Sequence, residues 1–215
     1  MIELKGFLSF DQFLNENLKT GSLFVVSYGG KFSPFHSGHF EIYEKICKQF
    51  GKDNVFITTS DLPVKPDPTK HFLNFEEKSS IMTKMFKIPS NRIFKVKNNY
   101  APMELLNQFP ESTIFVTVLG QKDVERLVNG KYFKWMAKED VLVAKNGSDL
   151  SWLQGYKESG YVWIEENWNV NLSATEIREF FRNPANSLED KERFFKKIYG
   201  KMDAGIFNML DSKIK

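Results

Sequence analysis

Leu23-Phe24-Val25-Val26-Ser27-Tyr28-Gly29-Gly30-Lys31-Phe32-Ser33-Pro34-Phe35-His36-Ser37-Gly38-His39 runs from an apolar segment through a glycine-bearing turn to a pair of histidines. Beyond it, Ile42, Tyr43, Ile46, Cys47 and Phe50 fall on one stripe at helical spacing. Strand, turn and helix in that order point backbone N–H groups and the positive end of a helix at an anion such as a phosphate. The imidazoles of His36 and His39, separated by Ser37 and Gly38, are aimed at the same place. The combination points to chemistry on the phosphates of a nucleotide.

Working outward, the same alternation repeats. Strands are predicted at 23–28, 54–59, 92–96 and 113–118, the last ending at Gly120, with Tyr161 to Ile164 as the final strand. Between them lie the first helix, a helix capped at Asn74 with Glu76 and Glu77 in its first turn and Ile81, Met82, Met85 and Phe86 on its buried face, and a helix from Pro102 to Phe109. Such alternation predicts an α/β fold: a Rossmann-like doubly wound parallel sheet, with ligands bound beyond the carboxyl ends of the strands. An amphipathic piece, Phe7 to Leu18, is expected to form an N-terminal helical segment within 1–21. Residues 22–183 form the main domain. A C-terminal helical extension occupies 184–215, with helices near 187–199 and 203–213 after one at 173–182. From Val128 to Gly160 the pattern is irregular, with strand character around Tyr132, Phe133, Trp135 and Val141 to Ala144.

Composition sets outer limits. A chain of 215 residues with 41% hydrophobic content is long enough for a substantial core, and its 21 phenylalanines are mostly expected inside it. The net charge of +3 is spread along the chain and singles out no nucleic-acid surface. The single cysteine, Cys47, is expected as buried packing and fits a reducing cytoplasm. No apolar stretch approaches bilayer-spanning length, and the N-terminus does not resemble a signal peptide, so a cytoplasmic protein with no membrane contact is expected.

The segment Gly-Lys-Phe-x-Pro-Phe-His-x-Gly-His (30–39) resembles the first signature of the HxGH nucleotidylyltransferase superfamily. Leu172-Ser173-Ala174-Thr175-Glu176-Ile177-Arg178 is similar to its second, a Ser/Thr-rich stretch ending in Ile-Arg. The resemblance covers roughly 22–182. It implies transfer of a nucleoside monophosphate from ATP or CTP to a phosphate-bearing acceptor, with release of pyrophosphate. By that match His36 and His39 donate to phosphate oxygens in the transition state, which an imidazole can do in either protonation state, a small pKa shift giving it positive charge near neutrality. Arg178 clamps the leaving pyrophosphate, and Lys31, where many relatives carry Arg or another residue, either enters the phosphate site or is solvent-exposed. Gly30, Phe32, Gly38, Ser173 and Thr175 shape or line the nucleotide pocket. Mg²⁺ is implied as the companion of the triphosphate, with no dedicated protein metal cluster.

Each assignment has a plainer alternative. Ser173 and Glu176 satisfy a capping box, the preferred reading for Glu176. Arg178 is a polar residue on a helix whose buried stripe is Ile177, Phe180 and Phe181, so solvation is its alternative. Lys65 and Lys70, in the loop after the second strand, could hold a substrate phosphate or be solvated surface; Lys78 sits where many relatives have an arginine and could contact a substrate phosphate. Asp123 resembles an acid that touches sugar hydroxyls, one residue further from Gly120 than in the family, or a helix cap. Tyr100 and Trp135 could stack on a ring or pack in the core.

The form of the first signature is most like nicotinamide-nucleotide adenylyltransferases, so a nicotinamide mononucleotide acceptor and an NAD product are expected. The alternatives are a cytidylyltransferase, for which the usual Arg-Thr-Glu-Gly-like segment is missing, a pantetheine-phosphate adenylyltransferase, or a regulator that binds nucleotide without turnover. Class I aminoacyl-tRNA synthetases share a similar histidine turn, but their Lys-Met-Ser-Lys-Ser-like loop is not found here. Expected partners are therefore a nucleoside triphosphate and a phosphorylated small molecule; assembly into a homo-oligomer is left open.

Overall fold

The computed structural model describes residues 24–63, 65, 67, 69–120, 123, 127, 132–136, 153–165 and 172–214. The helix expected between Phe7 and Leu18 and the strand character of Val141 to Ala144 lie outside these residues. Six strands form one sheet: β1 Phe24–Gly29, β2 Val55–Thr59, β3 Ile93–Lys95, β4 Ile114–Gly120, β5 Phe133–Trp135 and β6 Gly160–Glu165. Their order is β3-β2-β1-β4-β6-β5. β1 runs parallel to β4, β4 and β5 to β6, and β2 to β3. The helices are α1 Ser37–Phe50, α2 Phe75–Phe86, α3 Met103–Leu106, α4 Ala174–Arg182, α5 Leu188–Tyr199 and α6 Ala204–Lys213. This is the expected α/β architecture, a Rossmann-like doubly wound parallel sheet with helices at its C-terminal end.

The chain divides into two compact units. One holds β1, Lys45–Phe56 and the described residues from Tyr100 to Glu165. Its centre is β4, buried along its whole length, as a continuous apolar run in a parallel sheet requires. Val25, Val26, Phe115, Val116, Tyr161 and Val162 fill its core, and Phe50 meets Trp163 edge-on at 5.6 Å. β5 was legible only as irregular sequence with strand character, because three residues at a sheet edge are too few to establish a period. The helix expected from Pro102 to Phe109 shortens to α3, with Leu105 and Leu106 buried.

The other unit holds Gly30–Glu44, the described part of Ile57–Asn99, and 172–214. Local chemistry sets its helix boundaries. Asn74 and Glu77 cap α2 reciprocally, Ser173 and Glu176 cap α4, and Ser187 and Asp190 cap α5. Gly200, at φ 72°, ends α5 in the left-handed conformation that glycine adopts without cost. Phenylalanine then does much of the packing. A chain of ring contacts runs Phe207–Phe195–Tyr199–Phe86–Phe35–His39, with centroid separations of 4.6–5.7 Å. α5 and α6 are thus packed beneath the histidine turn. Cys47 is half buried rather than enclosed. No described helix is long and apolar enough to cross a membrane.

Candidate active site

The turn that follows β1 is built around Phe32. Gly30 extends the strand ladder by donating its N–H to the Thr58 carbonyl at 3.0 Å. The Phe32 ring then folds back over Gly30, where an added Cβ would lie 2.6 Å from the ring. Phe32 itself holds φ at 43°, a left-handed conformation that a bulky residue rarely adopts. The Ser33-Pro34 peptide is cis, and Ser33, Phe35 and His36 are all buried.

The two histidines stack on each other, with ring centroids 3.8 Å apart and planes 33° apart. Phe32 meets His39 edge-on at 5.0 Å, and Phe35 lies against its other side at 5.4 Å. Both ring nitrogens of His36 and Nδ1 of His39 are buried without a hydrogen-bond partner. His39 as a residue is half buried, with its Nδ1 enclosed. Burial, opposed by the attraction of Glu176, lowers His36 to about 4. Burial and the adjacent His36 hold His39 well below the usual imidazole range. The expectation of positive charge near neutrality is therefore corrected. In the free protein desolvation prevails over the weak local field and favours the neutral form of both rings, each with one N–H to donate.

Arg178 reaches this turn from α4. Its Nη1 donates to the Ser33 carbonyl at 2.7 Å and its Nη2 to Thr175 Oγ1 at 2.9 Å. It is 9% exposed, buried with Ile177 and Phe181, whereas Phe180 is only half buried. Ser173 accepts from the Glu176 N–H at 3.1 Å, and Glu176 accepts from the Ser173 N–H at 2.6 Å. Gly38 is buried in the first turn of α1.

Lys31 is exposed, and its Nζ lies 3.1 Å from Nε2 of His71. His71 was not singled out in the sequence, although it is the third and last histidine and lies in the loop already marked by Lys65 and Lys70. Lys78 is buried, donating to the Ser60 carbonyl at 2.7 Å, and desolvation lowers it to about 8. Lys65 is exposed, as is Lys70, which pairs with Asp67 at 3.8 Å. Tyr100, Asp123 and Trp135 belong to the other unit and are half buried there.

Tyr199 is the other residue that sequence reading passed over. It sits in the last turn of α5, and its hydroxyl donates to the Phe35 carbonyl at 3.0 Å. Burial pushes its phenol up, so it remains a donor throughout the neutral range. Two side chains from the final third of the chain thus bond two carbonyls of one turn, Ser33 and Phe35. Chemically, the assembled group offers neutral imidazole donors, a guanidinium with donors to spare, and several ammonium groups. That set suits an oxyanion, particularly a polyphosphate. Among the described residues, no three His, Cys, Asp or Glu side chains are placed to hold a metal ion.

The cytidylyltransferase-like family model matches residues 27–180. The chain is 23% identical over 175 residues to a probable nicotinate-nucleotide adenylyltransferase of Fusobacterium nucleatum, covering 74% of this chain and 88% of that protein. Among solved structures it is similar to the Plasmodium falciparum nicotinic acid mononucleotide adenylyltransferase complexed with NaAD. The TM-score is 0.50 at 14% identity, covering 88% of this chain and 95% of that one. A bifunctional NMN adenylyltransferase/ADP ribose pyrophosphatase from Francisella tularensis gives a TM-score of 0.49 at 17% identity, over 88% of this chain and 49% of that one.

Proposed function

From the premise that this chain belongs to the cytidylyltransferase-like family, we propose that it is an adenylyltransferase. It transfers AMP from ATP to the phosphate of a pyridine mononucleotide, releasing pyrophosphate and giving a dinucleotide of the NAD type. The observation that carries the reading is the convergence of His36, His39 and Arg178 on one turn, although Arg178 lies 139 positions after His39. Similarity over most of the chain to a probable nicotinate-nucleotide adenylyltransferase supports adenine over cytosine and a pyridine nucleotide as acceptor.

The reaction needs little from the protein beyond placement and charge. An acceptor phosphate oxygen attacks the α-phosphorus, the bond to the bridging oxygen breaks, and pyrophosphate leaves with the electron pair. Both reactants are anions, so the barrier falls when they are held in line and the growing charge meets fixed donors. His36 and His39, neutral and shielded from water, supply N–H groups to the α-phosphate oxygens. Neutral donors suit this position, because a buried imidazolium would cost the free protein desolvation energy.

Arg178 spends two of its five N–H donors on Ser33 and Thr175 and offers others to the leaving pyrophosphate. Lys31 and the capped start of α4 add positive potential. A Mg²⁺ ion bound to the triphosphate would neutralise part of its charge, with Lys31 and Arg178 supplying the protein's own share. Release of pyrophosphate with ATP or CTP and each mononucleotide tests the reading. Turnover with ATP and a nicotinate or nicotinamide mononucleotide supports it. Turnover with CTP alone replaces it by the cytidylyl alternative, and nucleotide binding without turnover by the regulator.

A further inference from the structure

We propose that His71 is a phosphate ligand, forming with Lys31 a subsite that takes a phosphate dianion. This deepens the adenylyltransferase reading and rests on it for the identity of the substrates. The argument begins with the contact between Lys31 Nζ and His71 Nε2 at 3.1 Å. An ammonium has only donors, so Nε2 must be the acceptor and the ring carries its proton on Nδ1.

The surroundings of His71 are predominantly cationic. Lys31, Lys78 and Arg178 all bear on it, against a single carboxylate, Asp67. Asp67 is already engaged by the Thr69 N–H and hydroxyl and by Lys70. The other nearby acid, Asp61, is taken up by Lys95 at 3.1 Å and by the N–H groups of Leu62 and Phe75. Lys78 and Arg178 are buried, so water screens them little. Three cations thus bear on a half-buried imidazole that touches one of them, Lys31, while Asp67 and Asp61 are already engaged.

A cluster like this costs free energy until an anion joins it, and Lys31 is exposed where a ligand can reach it. A phosphate dianion would draw the Lys31 ammonium to itself and favour a proton on His71. Nε2 would then change from acceptor to donor. Burial and the neighbouring cations hold His71 below its ordinary value in the free protein, so an anion that favours the protonated ring draws a proton in as it binds. The phosphate can belong to the triphosphate or to the acceptor, and the two sources are separated by experiment.

The test uses the full-length chain. Inorganic pyrophosphate is titrated into wild type and His71→Ala by calorimetry at pH 7, in two buffers of different ionisation enthalpy. KM for ATP and for the mononucleotide is measured in parallel. The expected result is proton uptake by wild type, lost in His71→Ala together with about tenfold in pyrophosphate affinity or in one KM. A rise confined to KM for ATP assigns the triphosphate, and one confined to the mononucleotide assigns the acceptor. His71-dependent pyrophosphate binding without any turnover upholds this subsite while sinking the transferase reading. Unchanged affinity, proton uptake and KM values in a folded His71→Ala protein would overturn it.

Discussion

The Arg178 guanidinium donates to the carbonyl of Ser33 at 2.7 Å, joining α4 directly to the turn that carries the histidines. Its second bond, to Thr175, fixes the plane of the fork. Arg178→Lys keeps the charge but cannot make both bonds at once. We expect kcat/KM to fall about 100-fold and stability by about 1–3 kcal/mol, because a buried carbonyl loses its donor. Steady-state kinetics and denaturant unfolding measure the two effects. An unaffected kcat/KM would remove Arg178 from the chemistry.

Tyr199→Phe deletes one hydroxyl and keeps the ring packing against Phe195 and Phe86. If Tyr199 positions the turn through Phe35, kcat should drop about 3- to 10-fold while KM for ATP holds nearly constant. A purely structural role would lower the melting temperature alone. Comparing Tyr199→Phe with a core variant of equal stability loss, Ile206→Val in α6, separates the two.

Acid should weaken the fold through His36. Its folded value is lowered to about 4 from 6.5. Between those values the unfolded chain binds a proton that the folded chain refuses, so stability is full above about pH 6.5 and falls as the pH drops toward 4. His36→Asn should flatten that slope. Unfolding midpoints at pH 7.5, 6 and 5 for both proteins give the answer; identical slopes would show that His36 titrates normally.

Lys78 is a buried ammonium whose charge is disfavoured by burial. Lys78→Met should therefore unfold within about 1 kcal/mol of wild type, the lost bond to Ser60 being offset by relief of desolvation. If the lysine serves a substrate phosphate, KM for one substrate should nevertheless rise about tenfold. Stability and KM both unchanged would make it a bystander.

Much of the scaffold was legible because each element carries a local cause. The short, β-branched and aromatic apolar runs at 24–29 and 114–120, set between helical stretches, read as buried parallel strands. Ser173, Ser187 and Asn74 mark helix starts through their own hydrogen bonds. The residues that escaped reading act over long range. Tyr199 looks like any aromatic at a helix end until the fold brings it to Phe35, 164 positions earlier in the chain. His71 gives no periodic or spacing signal, and its meaning comes from Lys31, 40 positions earlier. The charge state of the histidines was misjudged for the same reason, since burial is a property of the assembled turn.

The most direct test of the central claim is pyrophosphate release from ATP and a pyridine mononucleotide by wild type and His39→Ala, with the melting temperature of each recorded. The account predicts turnover by wild type and a kcat lower by about two orders of magnitude in a variant that still folds. A folded His39→Ala protein that turns over at the wild-type rate would contradict it.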